Sequence, residues 1–397
     1  MARPFRSLSE RVHRHKLLLV GLLVVVVLIV GGLVALKLRY GGRTVPFAKH
    51  VTAPLLPSSA LQVAAVLDEA PGNLAVSAGG RLFFNYHPEG RPAIKVAEWI
   101  GGRAVPWPSD EFQRERGPDE PYFDQVFSLR IDRQNRLWTL DTGFHGLRQP
   151  RVLAFDLAGG KLVHRWDIPR ELAGLGSYVQ DMQIDPEGRY VYIADLGALN
   201  EHAAILVYDS RTGQGRRVLE DHPSVLAKPY IINAKGKSMD LLGGLYKMHL
   251  HIDPIALDRQ GEWLYYGPMS GGRLYRIRAA DLHNRSLSPA ALAARVEDYG
   301  PKNQCDGITT DLRGNIYLTS IEEGAIDLLT PQRQLFTLLR SDRIRWPDGM
   351  SYGPDGYLYF TDSDIPDVMM KPKSHIRASA PFYIFRFKAP AAGIAGQ

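Results

Sequence analysis

One phrase recurs six times along this 397-residue chain: a short apolar stretch, a tight turn often of the form D-x-x-G, then a strand rich in Leu, Tyr and Trp. The copies read GNLAVSAGGRLFFN, VFSLRIDRQNRLWTLDTG, VQDMQIDPEGRYVYIADLG, DPIALDRQGEWLYYGPMS, CDGITTDLRGNIYLTSIEE and PDGMSYGPDGYLYFTDSD. Their turn residues are Gly80, Asn135, Gly188, Gly261, Gly314 and Gly356, at spacings of 55, 53, 73, 53 and 42. A unit repeated at such a period cannot bury its apolar face alone, so the copies must stack. Most copies continue into a second hairpin-like segment, as in RVLAFDLAGGKLVHRWDI, AILVYDSRTGQGRRVLED and GAIDLLTPQRQLFTLLRS. Four strands per unit and six units predict an all-β fold, a six-bladed β-propeller over residues 61–390 with a tail at 391–397. A pair of β-sandwiches would not repeat one phrase six times. The longest spacing holds a surplus at 225–248, VLAKPYIINAKGKSMDLLGGLYKM, expected to run over one face. Long loops of that kind are commonly functional.

The composition, 45% hydrophobic and 23% charged, permits a large core, and 38 Gly with 27 Pro suit many turns. Cys305 is the single cysteine, so no internal disulfide can form, and burial is its expected fate. The net charge of +6 is concentrated before residue 17, where Arg3, Arg6, Arg11, Arg14 and Lys16 stand against Glu10. The remainder is close to neutral and has no basic stripe, which sets nucleic acid aside as a partner. Residues 17–36, LLLVGLLVVVVLIVGGLVAL, are uncharged and apolar enough to cross ~30 Å of hydrocarbon as a helix. A cleaved signal peptide is the alternative, but the run is long and no small-x-small site follows it. A transmembrane signal anchor is expected, with 1–16 cytoplasmic, 37–60 a tether and the propeller periplasmic or extracellular.

Within each unit the first strand descends to the turn and the second returns, so the start of one and the end of the other share a face. If the first strand is innermost, its starting residue borders the central channel. Eight residues before the turns stand Gly72, Phe127, Gln180, Asp253, Asp306 and Asp348. Asp141, Asp195 and Asp362 close second strands on the same face, with Asn85 and Ser320 at comparable positions. Gly307 and Gly349 leave room for close backbone approach. Crowded carboxylates repel unless a cation or proton intervenes, which raises their pKa values and points to a site. The plain alternative is that Asp before Gly starts a strand through local hydrogen bonds. That structural role is assigned to the turn residues Asp132, Asp185, Asp258, Asp311 and Asp355. In MHLHID, His249, His251 and Asp253 fall on one side if the segment is extended, where imidazoles could bind a metal or exchange protons. Loop histidines packed on aromatics are the competing reading. There is no G-x-S-x-G elbow, no H-E-x-x-H and no phosphate-binding loop.

RLFFNYHPEGRPA, DQVFSLRIDRQNRLWTLDTG, IADLG with AILVYDSRTGQGRRV, LYYGPMSGGRLYRI and LYFTDSDIPD before FYIFRF resemble, in order, the major royal jelly protein/Yellow family. The resemblance runs from about Leu74 to Phe387, and LWTLDTG is its most specific element. It implies a secreted six-bladed propeller whose channel binds small molecules. Some members bind biogenic amines and others are associated with dopachrome conversion. An anchor in place of a cleaved signal departs from that pattern. A second resemblance is to calcium-dependent gluconolactonase and regucalcin-type propellers, whose metal is held by a first-blade Glu and by Asn and Asp at strand starts. WPDGM matches their last ligand at Asp348, whereas Asp253 or Asp306 stands where Asn is expected and Glu69 is out of register.

Three functions follow as expectations. The first is an anchored extracytoplasmic protein that binds a small polar or aromatic ligand, with or without isomerase or tautomerase activity. Asp306, Asp348 and His251 would be catalytic there, and Asp253, Asp141, Asp195, Asp362 and Gln180 would hold the ligand. The second is a metal-dependent lactonase in which Asp253, Asp306 and Asp348 hold a divalent ion such as calcium. The third is a non-catalytic scaffold for a protein partner.

Overall fold

The computed structural model describes residues 8–117 and 120–397. The six repeats form six four-stranded antiparallel sheets. The first strands of the blades are Pro71–Val76, Val126–Ile131, Val179–Ile184, Ile252–Leu257, Ile308–Thr310 and Pro347–Tyr352. They contact one another in a closed ring around the channel, and all but Gln180 are buried. All six turn residues, Gly80, Asn135, Gly188, Gly261, Gly314 and Gly356, lie at positive φ, from 60° to 81°. That left-handed conformation is what a tight hairpin turn demands and what Gly and Asn adopt most readily. The preceding aspartates hold the turns. Asp132, Asp185, Asp258 and Asp311 each accept two backbone N–H bonds within their own loop, and Asp355 accepts one from Tyr357.

Apolar clusters fill the wedges between blades. Tyr317, Ile326 and Leu339 of the fifth blade, for example, meet Met350, Phe360 and Phe385 of the sixth. Each fully buried side chain of that size contributes roughly 1.5–3 kcal/mol. The sixth blade is completed from the other end of the chain, because Gln62–Leu67 pairs antiparallel with Phe382–Lys388. The ring is thereby closed by hydrogen bonds between its first and last strands.

Both ends of the channel are covered. On the turn face, Ile131 N–H donates to Gly396 O and Tyr352 N–H to Gln397 O, both at 3.1 Å, while Arg259 reaches Gln397 Oε1 at 3.0 Å. The tail therefore bridges the second, fourth and sixth blades. On the opposite face lies the excursion, built as two short hairpins, Asn233–Ala234 with Lys237–Ser238 and Asp240–Leu241 with Tyr246–Lys247. Its Ile232, Ala234, Met239, Met248 and Leu250 pack on Phe127, Tyr178, Ile321 and Trp346 at the channel rim. Lys237 pairs with Asp367, and Asn233 N–H donates to Glu322 at 2.6 Å, so the lid is pinned at its edge.

The helix Leu8–Tyr40 precedes the propeller. Its segment His15–Tyr40 contains an 18-residue window of mean hydropathy 3.3 with no burial against the protein, and is long and apolar enough to cross a membrane. Its end touches the lid, where the Tyr40 and Tyr246 rings lie 5.2 Å apart.

Candidate functional site

Five of the six inner strands carry a register irregularity where they meet the lid: between Pro71 and Leu74, Val126 and Ser128, Val179 and Met182, Ile252 and Ile255, and Pro347 and Met350. A bulge leaves a residue unpaired and re-aims side chains. Here bulges from successive blades turn polar groups into one small cavity of about 10 Å³, lined by Asn73, His87, Phe127, Gln180, Asp181, Asp253, Asp306 and Asp348. That is room for about one water molecule. Gly349 lets the strands come this close, since a Cβ there would sit 2.5 Å from Asn73 Oδ1.

The carboxyls of Asp253 and Asp306 stand at the same cavity wall, where the charge of one disfavours the charge of the other. Burial pushes Asp306 up to about 6. Burial, then the neighbouring Asp306 charge, pushes Asp253 and Asp348 well above the usual carboxylate range. Trp346 Nε1 donates to Asp306 Oδ2 and Ser363 Oγ to Asp348 Oδ2, each at 2.6 Å. Asp253 Oδ2 is buried with no hydrogen-bond partner among the described residues. Across the cavity, Arg130 contacts both oxygens of Asp181 at 3.1 Å and Asn73 Oδ1 at 2.6 Å, and Ser128 Oγ donates to Asp181 at 2.6 Å. Arg130 and Asp181 balance each other, leaving the three aspartates as an excess of acid. His87 Nδ1 accepts from Glu89 N–H at 3.2 Å, so its proton sits on Nε2. Burial pushes His87 down to about 3, which keeps the ring neutral.

Gln180, Asp253, Asp306 and Asp348 are thus brought together, and the other predicted residues are elsewhere. Asp141, Asp195 and Asp362 do not line the cavity, a correction to their expected role in binding. Asp141 accepts from Asp124, Gln125 and Gly143 N–H, and Asp195 from Tyr178 and Gly197 N–H and from Arg217 at 2.6 Å. Asp362 accepts from the N–H groups of Arg345 and Trp346 and from the Arg345 side chain. Each ties the end of a second strand to the approach of the first, and its oxygens are already engaged. His251 is corrected too. The inner strand begins only at Ile252, and His249 N–H bonds back to Lys247 O, so the preceding residues are not extended. His249 and His251 face a different pocket, where His251 Nδ1 accepts from Ala227 N–H and burial pushes it down to about 4.

The calcium expectation fails on the donor set. Calcium takes six to eight oxygens at ~2.3–2.6 Å. Asp306, Asp348 and Asp181 already use oxygens on Trp346, Ser363 and Arg130. Among the described residues no group of three or more His, Cys, Asp or Glu side chains is placed to hold a metal.

Asn73, His87, Asp181 and Arg130 complete the site and were not anticipated. Arg130 carried a signal, a charged residue inside the run VFSLRI, where Ser128 is the one other polar side chain. Asp181 follows Gln180 directly, and the bulge brings both to the cavity. Nothing local marks His87.

A family model for "Major royal jelly protein" matches residues 125–370. Major royal jelly protein 7 of Apis mellifera is 28% identical over 163 residues, 38% of this chain and 34% of that relative. A dopaminechrome tautomerase of Drosophila melanogaster is 22% identical over 213 residues, 50% of this chain and 42% of that relative. The chain thus covers well under half the length of these relatives. The solved structure of a calcium-binding regucalcin from Agrobacterium tumefaciens superposes with a TM-score of 0.52 at 14% identity, covering 87% of this chain and 99% of that one. At that identity the likeness shows the propeller fold alone.

Proposed function

The chain belongs to the major royal jelly protein family, and we propose that its acidic channel mouth binds a small polar aromatic ligand bearing an amine and moves a proton on it in a tautomerisation. In the same proposal Leu8–Tyr40 anchors the protein with the propeller on the extracytoplasmic side. One observation carries the chemistry: three buried aspartates, Asp253, Asp306 and Asp348, line one cavity with Asp253 Oδ2 unpartnered, under a lid.

A tautomerisation takes a proton from one atom of the substrate and returns one to another. Such a step needs a base and an acid poised near the working pH. Asp253 and Asp306 together offer both, since they stand at one cavity and burial weakens the acidity of each. His87, neutral with its proton on Nε2, is a further donor at the cavity wall. An ammonium group on the ligand would find its counter-charge among the carboxylates of the cavity. Phe127 supplies an aromatic wall. The tautomerase activity named for the Drosophila relative fits this donor and acceptor set.

A cavity of about 10 Å³ does not admit an aromatic ring, so ligand entry requires the lid to lift. The test is calorimetric titration of the full chain with dopamine at pH 7, in two buffers of different ionisation enthalpy. Binding accompanied by proton release, and its loss in Asp253→Asn but not in Asp355→Asn, is expected. No binding, or equal binding in both variants, refutes the site.

A further inference from the structure

We propose that the pocket between the foot of the apolar helix and the lid binds the phosphate headgroup of an anionic lipid. The pocket has a volume of about 360 Å³, within the range of small-ligand sites (roughly 300–1,000 Å³). Arg39, Arg43, Lys228 and Lys247 line it against a single carboxylate, Glu201, and His249 and His251 add two imidazoles. Glu201 meets Arg39 only at 3.8 Å. Lys228 and Lys247 form no ion pair among the described residues, although both stand at this cavity. His249 Nε2 is buried there without a hydrogen-bond partner among the described residues. Four cations around one carboxylate, with an unpartnered buried imidazole nitrogen, form a site suited to an anion. The phenol of Tyr246 provides a hydroxyl suited to a phosphate or a glycerol.

Position selects the source of that anion. The uncharged run ends at Leu36, and Arg39 follows three residues on, about 4.5 Å further along the helix. The headgroup layer extends several ångströms beyond the hydrocarbon, so a spanning helix places this pocket within it. The helix end is fixed there: Tyr40 Oη donates to Leu199 O at 2.8 Å, Arg39 to Asn200 O at 3.2 Å, and Lys37 to Gly244 O. Two walls belong to the lid, 227–229 on one arm and 246–251 on the other. A bound headgroup therefore grips the segment that covers the acidic cavity.

The inference rests on Leu8–Tyr40 being a membrane anchor, and the experiment separates the two. The full chain is reconstituted into nanodiscs of phosphatidylcholine alone or with phosphatidylglycerol. Failure to enter either disc overturns the anchor and the headgroup site together. The protein is then released into neutral detergent and its retained lipids are counted by native mass spectrometry. The wild type is expected to keep phosphatidylglycerol in preference to phosphatidylcholine. Lys228→Gln with Lys247→Gln should lose that preference by about fivefold for each charge removed, with an unchanged melting temperature. Equal retention in wild type and variant overturns the site but leaves the anchor standing. If inorganic phosphate raises the melting temperature as much as phosphatidylglycerol does, the pocket takes the free anion and the lipid assignment is overturned.

Discussion

Replacing Asp306 with Asn should make the protein more stable and less functional, and the size of the gain can be worked from the site. Asp306 is held near pH 6 in the fold, against an ordinary value of 3.8, chiefly because burial disfavours its charge. An upward shift of about two units corresponds to about 3 kcal/mol. The sign follows from proton counting. Between pH 3.8 and 6 the folded carboxyl keeps a proton that the unfolded chain releases, so stability falls as pH rises through that window. Above pH 6 the full cost is present, and below 3.8 there is none. Asparagine never ionises, can still accept from Trp346 Nε1 and can donate to Asp253, so Asp306→Asn removes the cost without orphaning its neighbours. For a propeller of this size the gain is a rise of about 4 °C in melting temperature at pH 8, shrinking towards zero at pH 4. Thermal melts of both proteins from pH 4 to 8, followed by tryptophan fluorescence, measure it. Parallel pH profiles would refute the raised pKa of Asp306, because the variant would then have lost no group that titrates in this window.

Two further outcomes follow from the same contacts. Arg130→Met should cost about 3–5 kcal/mol in urea unfolding, because Asp181 is left buried without its cation, and adding Asp181→Leu should recover much of that loss. Ile232→Asp places a carboxylate under the lid, so amide exchange across 225–250 should accelerate and ligand association should quicken while the inner strands stay protected. An unchanged association rate would mean that the lid does not gate the cavity.

The propeller could be read from the sequence because its signals are local. A D-x-x-G turn announces itself in four residues, and the positive φ at Gly188 or Gly356 needs no distant partner to explain it. The phase of Asp253, Asp306 and Asp348 follows from the same turns. What spacing could not show is the bulge: counting back from Gly188 stops at Gln180, whereas the irregularity between Val179 and Met182 brings Asp181 into the cavity as well. The Arg130–Asp181 pair joins the second and third blades, so neither residue predicts the other from its own neighbourhood. Asp141, Asp195 and Asp362 misled for a related reason. Their face was inferred from strand direction, but their oxygens were claimed by backbone N–H groups of the adjoining loops. Strand alternation does not carry His251 to the side of Asp253, because the chain turns at Lys247–His249 before the strand begins. The pairing of Gln62–Leu67 with Phe382–Lys388, across nearly the whole propeller, lay outside any repeat.

The most direct test of the acidic channel mouth is turnover of dopaminechrome, followed by its loss of visible absorbance, with wild type, Asp253→Asn and Asp355→Asn compared at equal folded concentration. Removing a positioned acid or base typically costs 10²–10⁴-fold. The wild type is expected to accelerate the decay, Asp253→Asn to lose at least a hundredfold in kcat/KM, and Asp355→Asn, in a turn on the opposite face, to keep full activity. Undiminished turnover in Asp253→Asn, or no turnover by the wild type, would contradict the proton-transfer role assigned to the cluster.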